Sequence, residues 1–392
     1  MANRFIAVCS AVIAFGLAGC GSGADDGGGG GRTIGGDGLT AIGVFKDANV
    51  AGLAYTSGAQ SGLTNANGAF TYEAGQTVTF RVGAVTIGTT SGKPVVTPLD
   101  LVSSGSSTSL EVLNRVRFLL LMDSDGNPAN GITISEGLRS RAANWPAVDF
   151  ASTDLAAALA ATSIIGDTSV DGSIRALPSA AFAQQHLEGT VRCLYAGIFT
   201  GTYTGGDSGR WFLAIGPQGE LGGFAYSTRD MQLMELSFPP PARLSVQQTV
   251  PLVAGLSGTG SSFNGQFTSL DNVSGNSTGG TFTGSRGAGT TTAKEKYLAI
   301  LFRGSQTTVP VTFIHFEFDA SDRLTARAAP DLLQSGQMVS VQITAVGNNI
   351  TATLDSGYLA HVTLSRTTMQ MTGDWGNGPD GGIVRGTGCR LN

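Results

Sequence analysis

The chain has 392 residues, of which 41% are hydrophobic and only 13% are charged, with 58 glycines and a formal net charge of −5. This hydrophobic content is ample for packed cores and excludes a disordered chain, and the acidic balance excludes a nucleic-acid binder, which needs a basic face. Glycine is about twice as frequent as usual and charged residues about half as frequent. Together with short apolar runs, this predicts a mainly β fold with many turns, in two or three domains.

The chain begins with one basic residue, Arg4, and an apolar run from Phe5 to Leu17. This is the layout of a secretory signal, and the run is too short to span a bilayer, which takes about 20 residues. The four residues that end it, Leu-Ala-Gly-Cys, resemble the lipobox of bacterial lipoproteins. The resemblance implies that residues 1–19 are a lipoprotein signal peptide and that the Cys20 thiol carries a diacylglycerol. An ordinary signal peptide with a chance cysteine is the alternative.

Residues 20–38 contain an unbroken run of five glycines, 27–31, and cannot bury apolar surface, so they are expected to be a flexible tether behind the lipidated Cys20. Two or three acyl chains anchor a protein stably, since each buried CH₂ contributes about 0.8 kcal/mol. Gly21, with no aspartate beside it, resembles the outer-membrane sorting pattern of enteric bacteria. We therefore expect an exported protein anchored by lipid in the outer membrane, on its periplasmic face or at the cell surface.

Residues 39–99 read as short strands separated by turns. Residues 77–82 alternate as a half-buried strand does, and Gly68 ends a turn that leads into a strand at 69–72. The spacing predicts a small β-sandwich. The run 62–72 resembles the Thr-Asp-x-x-Gly-x-Phe hairpin of carboxypeptidase-regulatory-like domains, which implies an immunoglobulin-like spacer.

Residues 100–196 change to a helical pattern. Thr108 and Glu111 fit a capping box, and apolar residues on one helical face follow them. Three further helices are predicted at 136–143, 155–161 and 180–195. The last is expected to bury Phe182, Val191 and Leu194. We interpret this region as a helical connector between two β domains.

Cysteine usage singles out one pair in the folded body. Cys9 leaves with the signal and Cys20 carries lipid, which leaves Cys193 and Cys389. In an oxidising compartment such a pair defaults to a disulfide. Two free thiols or metal ligands are the alternative.

Residues 197–392 return to β structure and show two similar halves, each with a strand, a turn and a strand at 210–224 and at 313–326. Two halves of about four strands each predict an eight-stranded antiparallel β-barrel. The glycine–aromatic rhythm of residues 201–203 and 280–286 resembles the barrel domains of transferrin-binding-protein-B-like lipoproteins. The whole chain is similar to uncharacterised lipoproteins of Gram-negative bacteria, some of them adhesin-like.

Asp123, Asp125 and Asn127 lie at a spacing of two, as at the start of a calcium loop. An EF-hand needs glycine at position 6 and glutamate at position 12, where this chain has Pro128 and Ile134. A Ca²⁺ site of another kind is therefore one hypothesis, and a capping and turn role is the alternative. No other cofactor is expected.

His315, Glu317 and Asp319 share one face of a predicted strand. They fit either a cation or polar-ligand site on an inward face or a solvated outer face. The second interpretation places the aromatic residues between them in the core.

Two serines lie in motifs that hydrolases use. Ser208 stands in Gly-Asp-Ser-Gly, which resembles the nucleophile loop of chymotrypsin-like proteases, but the nearest preceding histidine is His186 on a predicted helix. Ser277 fits Gly-x-Ser-x-Gly, yet that elbow requires a following helix and residues 280–283 read as a strand. The chain has three histidines in all, too few to assemble a triad or metal site easily.

These observations predict a non-catalytic, adhesin-like binding module with an unknown protein or glycan partner. The alternative is a hydrolase or small-ligand carrier with its site in the barrel mouth.

Overall fold

A computed structural model describes residues 39–258, 260–286, 293–305, 307, 310–330, 336, 339–354, 357–377 and 379–391. The expected signal peptide, lipidated Cys20 and tether lie outside these residues. The chain from Leu39 onward forms one compact unit and is mainly β, as predicted. Among the described residues, no helix is both long and apolar enough to cross a membrane.

The N-terminal part of this unit consists of two small sheets that face each other. Its strands are β1 (Thr40–Phe45), β2 (Val50–Ala51), β3 (Ala54–Ser57), β4 (Gln60–Leu63), β5 (Ala69–Glu73), β6 (Thr77–Val82), β7 (Val85–Ser91) and β8 (Val95–Val96). One sheet has the order β5-β1-β8 and the other β4-β3-β6-β7, while β2 pairs instead with residues Ile132–Thr133 of the helical region. Phe45 and Phe70 of the first sheet contact Phe80 of the second, with ring centroids 4.8 and 5.1 Å apart. These rings form the centre of the shared core, as in a small sandwich.

The turn before β5 has the predicted conformation. Gly68 has a φ of +74°, and the Asn65 side chain accepts hydrogen bonds from the backbone N–H groups of Asn67 and Ala69. A Cβ at Gly68 would lie 2.5 Å from the Phe45 carbonyl oxygen. Glycine is therefore required here for both conformation and space.

The helical region follows, with α1 (Leu110–Leu121), β9 (Ile132–Thr133), α2 (Glu136–Ala142), α3 (Leu155–Ala160), α4 (Ile164–Asp167) and α5 (Ala180–Tyr195), and with short 3₁₀ helices at Pro98–Leu101, Pro128–Asn130 and Thr168–Asp171. The four predicted helices are present, and α4 was not predicted. The apolar faces of α1 and α5 share one core with the two small sheets. The connector is thus packed onto the sandwich.

The predicted cap of α1 is wrong by one residue. The helix begins after Ser109, which has extended backbone angles, while the Thr108 hydroxyl contacts that of Ser106. Glu111 pairs with Arg115 one turn later instead of reaching back to the cap. The i,i+4 ion pair therefore replaces the capping box.

A closed antiparallel barrel follows α5. Its strands are β10 (Gly197–Tyr203), β11 (Gly209–Ile215), β12 (Leu221–Ser227), β13 (Gln232–Ser237), β14 (Pro251–Leu256), β15 (Ser262–Phe267), β16 (Asn272–Ser277) and β17 (Gly280–Ser285). Each pairs with the next along the chain, and β17 pairs back to β10.

The remaining strands form a second antiparallel sheet: β18 (Ala293–Arg303), β19 (Pro310–Asp319), β20 (Leu324–Ala328), β21 (Val339–Ser340), β22 (Gln342–Val346), β23 (Asn349–Thr353), β24 (Leu359–Ser365), β25 (Gln370–Asn377) and β26 (Asp380–Arg390). Its order is β21-β20-β19-β18-β26-β25-β24-β23-β22. Only Val341 separates the two end strands, so one stretch of chain meets both edges of the sheet. We call this sheet the near-barrel.

The predicted eight-stranded antiparallel barrel is present, but the expectation that the two halves of residues 197–392 share it is wrong. Residues 197–285 alone supply all eight strands, and the second half builds the near-barrel. Each half has about twice the strands that its clearest motifs indicated. Eight strands are enough to close a barrel, and the interior of such a barrel is just wide enough for side chains to fill it.

The two barrels pack side by side through outward-facing apolar residues. On β11, Trp211 and Leu213 point into the closed barrel, whereas Phe212 and Ala214 belong to a cluster with Leu298 and Phe313 of the near-barrel. The rings of Phe212 and Phe313 lie 5.9 Å apart. A strand buried on both faces explains the unbroken apolar run of β11.

Candidate functional site

The interiors of both barrels are filled by side chains. In the closed barrel, Trp211, Phe263 and Phe282 contact one another, and the cavity beside them measures about 10 Å³. Tyr297, Phe316 and other apolar residues fill the near-barrel in the same way. A cavity of this size holds at most about one water, so it has no room for a larger ligand.

A groove of about 750 Å³ opens outside the barrels, between α5 and the end of β26. Helix α5 forms one wall, and the β24–β25 turn with residues 387–390 of β26 forms the other. Gln218, in the turn between β11 and β12, and Ala48, after β1, also line it. We call this feature the α5–β26 groove.

The helical wall is one face of α5. Phe182, Gln185, His186 and Gly189 follow the i, i+3, i+4, i+7 spacing that places residues on one side of a helix. A different side of α5 is buried against the core through Ala183, Leu187, Val191 and Leu194. The prediction that Phe182 is buried is wrong, since the side chain is 47% exposed. It lies one residue away from the buried series that begins at Ala183.

The predicted disulfide between Cys193 and Cys389 is present, with the two Cα atoms 5.8 Å apart. It joins the last turn of α5 to β26, and both elements line the groove. Both cysteines are buried beside Leu194 and Leu391. The bridge therefore fixes the spacing of the two walls at one end.

A buried carboxylate lies behind the helical wall. Asp47 is fully buried, and the Nε2 atom of His186 lies 3.1 Å from its carbonyl oxygen and 3.4 Å from Oδ1. Burial raises the pKa of Asp47 to about 6, and the charge of His186 opposes that rise. The Thr190 hydroxyl accepts a hydrogen bond from Ala48 N–H and holds this loop against α5.

The described lining of the groove contains no serine beside the contact between Asp47 and His186. Hydrogen bonding and stacking are the interactions that its described side chains offer to a ligand.

The groove presents neutral polar groups. Within the described residues, the side-chain amides of Gln185, Gln218 and Gln370 make no hydrogen bond. Arg390 is already engaged, because it pairs with Glu295 at 3.0 Å and donates to the Arg366 carbonyl. An incoming ligand thus meets amides and hydroxyls instead of a free charge.

The three proposed calcium ligands accept hydrogen bonds from nearby groups of their own loop. One Asp123 oxygen accepts the Thr133 N–H, Asp125 accepts from Asn127 and Asn130, and the Asn127 side chain accepts from Ala129. Burial raises the pKa of Asp123 to about 6. No group of three or more His, Cys, Asp or Glu residues in the described chain could hold a metal ion. The Ca²⁺ site stays a prediction.

The expectation of a solvated face for His315, Glu317 and Asp319 is wrong for His315, which is 5% exposed. Both faces of β19 are covered, because one lines the near-barrel and the other packs beside the closed barrel. His315 Nδ1 lies 3.5 Å from Glu317, and burial lowers the His315 pKa. Asp319 caps its own turn by accepting from Ser321 and Arg323.

The two candidate serines bond to neighbouring strands. The Ser208 hydroxyl contacts that of Thr228 at 3.0 Å, and the Ser277 hydroxyl donates to the Thr204 carbonyl. Strand β17 follows Ser277, where the nucleophile elbow requires a helix. In the described part of the chain neither serine hydrogen-bonds a histidine.

The groove is not among the predictions from the sequence, which place His186 on a helix ahead of Ser208 and Phe182 in the core. The available signal was the stripe of aromatic, amide, imidazole and glycine on an otherwise amphipathic helix.

No family model matches this chain, and no curated protein matches it. A similar solved structure is the crystal structure of a protein of unknown function from the DUF3598 family of Nostoc punctiforme. It is 11% identical, and the match covers 52% of this chain and 98% of that chain, with a TM-score of 0.13. At this score the likeness carries no argument about fold or function.

Proposed function

We propose that the protein is an exported, lipid-anchored outer-membrane lipoprotein that acts as a non-catalytic, adhesin-like binding module, and that the α5–β26 groove holds its ligand. The observation that carries the binding site is the contrast between the filled barrels and the open groove beside them. A small-ligand carrier needs an open lumen, and the filling of the barrels argues against that alternative.

The anchor is argued from the sequence. Leu17 to Cys20 resemble a lipobox, and the glycine-rich tether would separate the folded unit from the membrane. The Cys193–Cys389 disulfide fits an oxidising compartment outside the cytosol. Mass spectrometry of the mature protein tests this part. An unmodified Cys20 would contradict it.

The proposal also includes the two domain resemblances seen in the sequence. An immunoglobulin-like domain at residues 39–99 and a transferrin-binding-protein-B-like barrel would then be parts of one compact recognition unit. Protease shaving of intact cells tests surface display, because only a displayed unit is removed.

The groove itself is tested by filling it. Gly189→Trp places a large side chain on the helical wall, where a Cβ meets nothing within 4 Å, and Leu233→Trp is the control, because it adds the same side chain at a 53% exposed position outside the groove lining. The full-length protein, purified in detergent, is immobilised and exposed to solubilised envelope and extracellular material. We expect wild type and Leu233→Trp to retain a component that Gly189→Trp does not. Retention of nothing by wild type, or equal retention by Gly189→Trp, would contradict the proposal.

A further inference from the structure

We infer that the α5–β26 groove binds a neutral saccharide, a short stretch of uncharged polysaccharide or glycan. This inference rests on the binding function proposed above and names the chemical class of the ligand.

The first argument is charge. Among the described groove residues, the charge of Arg390 is paired with Glu295, and the Asp47 carboxylate is buried behind His186. Side-chain amides and hydroxyls dominate the polar surface that remains. An amide offers both donors and an acceptor, which matches the neighbouring hydroxyls of a sugar, each of them both donor and acceptor. An anionic ligand would have to compete with Glu295 for Arg390, and a cationic ligand would find no carboxylate in the described groove lining.

The second argument is the aromatic ring on the helical wall. Phe182 is 47% exposed and lies one helical turn from His186 and two turns from Gly189. An exposed aromatic ring provides a rigid apolar surface at low entropic cost. The C–H face of a pyranose ring is the complementary partner, while its hydroxyls point sideways to the amides.

The third argument is Gly189. Glycine inside a helix costs about 0.5–1 kcal/mol relative to alanine. A Cβ on Gly189 would contact nothing within 4 Å, so packing does not require the glycine. A costly residue without a packing reason, on the wall of a groove, fits a position where a ligand approaches the backbone closely.

The size and lining of the groove favour a saccharide over a peptide. A volume of about 750 Å³ lies within the range of small-ligand pockets, roughly 300–1,000 Å³. Peptide recognition uses deep apolar pockets or unpaired charges as anchors. The groove has a single exposed ring, one methionine and no unpaired charge among its described residues.

The test is a glycan array probed with the full-length protein in a detergent that carries no sugar headgroup. The array holds uncharged glucose, mannose, galactose and N-acetylglucosamine oligosaccharides, with sulfated and sialylated oligosaccharides as charged comparators. We expect wild type to bind at least one neutral glycan and Leu233→Trp, at a 53% exposed position outside the groove lining, to bind it equally. Phe182→Ala should weaken that binding at least tenfold, and Gly189→Trp should abolish it. Far-ultraviolet circular dichroism confirms that each variant is folded.

Three outcomes would overturn the inference: no neutral glycan is bound, only charged glycans are bound, or Gly189→Trp leaves binding unchanged. The envelope experiment separates failure of this inference from failure of the binding function. If wild type retains a component that Gly189→Trp loses, and protease destroys it while periodate does not, the binding function holds and the saccharide is wrong. If wild type retains nothing, both fail.

Discussion

Asp47, which lies behind the α5–β26 groove, is expected to make the stability of the protein depend on pH. Its carboxylate is fully buried, and the Nε2 atom of His186 lies 3.4 Å from Oδ1. Burial favours the protonated form, so the folded protein holds this proton more tightly than the unfolded chain does. The resulting stabilisation is full below about pH 4 and is lost as the pH rises through about 6.

Asp47→Asn should remove this pH dependence. A pKa raised from 3.8 to about 6 corresponds to about 3 kcal/mol, since one unit is about 1.4 kcal/mol. Urea unfolding between pH 4 and pH 8 should therefore show wild type losing about 3 kcal/mol relative to the variant. Glu235→Gln, on the exposed face of β13, is the control and should keep the wild-type slope. Parallel curves for wild type and Asp47→Asn would show that Asp47 does not titrate in this range.

A second residue-scale feature is the double cap on α5. Lys296 Nζ and Arg286 Nη1 both donate to the Leu194 and Ala196 carbonyls. Two cations at a helix C-terminus complement its dipole and satisfy its free carbonyl groups. Arg286 also pairs with Asp271 at 2.8 Å.

Replacing Lys296 and replacing Arg286 should change the free energy of unfolding by different amounts. Lys296 is fully buried and its pKa is lowered by burial, so Lys296→Met removes a desolvated charge while Arg286 keeps the carbonyls satisfied. We expect a change within about 1 kcal/mol for Lys296→Met. Arg286→Leu also breaks the pair with Asp271 and should cost about 3 kcal/mol or more. Chemical unfolding at pH 7 measures both, and an equal or reversed order would refute this account.

At the scale of elements, the disulfide connects a helix and a strand that are far apart in sequence. Cys193 and Cys389 are 196 residues apart, and the loop between them contains both barrels. In the chain-entropy model such a loop contributes on the order of 5 kcal/mol. The same bridge fixes the two walls of the α5–β26 groove, so stability and binding are coupled through it.

The double variant Cys193→Ser/Cys389→Ser should lower the free energy of unfolding by up to about 5 kcal/mol. It should also weaken retention of the groove ligand, because α5 and β26 are then free to separate. Dithiothreitol should have both effects on wild type and neither on the double variant. Reduction that lowers stability but leaves binding unchanged would show that the groove does not need the bridge.

Elements with strong local periodicity could be predicted from the sequence. Apolar spacing located α1, α2, α3 and α5 to within about two residues, and alternation located β6. The same alternation could not show which face of β19 is buried, because a period of two separates two faces without identifying their neighbours. The position of Phe182 was missed for a similar reason, since a one-residue offset on a helix turns the side chain by about 100°.

The whole molecule depends on pairings that local sequence does not encode. Strands β18 and β26 pair although about 90 residues separate them in the chain. Strand β17 pairs with β10, with the other six strands of the closed barrel between them in the sequence. Similar glycine-rich hairpins in both halves are compatible with one shared barrel or with two separate sheets. The outward face of β11 packs on Phe313, and this contact favours two separate sheets. The groove forms only where this arrangement brings α5, β26 and the β11–β12 turn together, so it could not be read from any one segment.

The interface between the two barrels gives the last prediction. Phe313 is 4% exposed and contacts Phe212 of the closed barrel. Phe313→Asp would bury a charge against that ring, which costs several kcal/mol unless the barrels separate. Each barrel has its own filled core, so we expect calorimetry to resolve two transitions in place of one cooperative transition. Val311→Asp, on the same strand at a 42% exposed position, should leave one transition. A single transition at lower temperature for Phe313→Asp would instead mean that neither barrel is stable without the other.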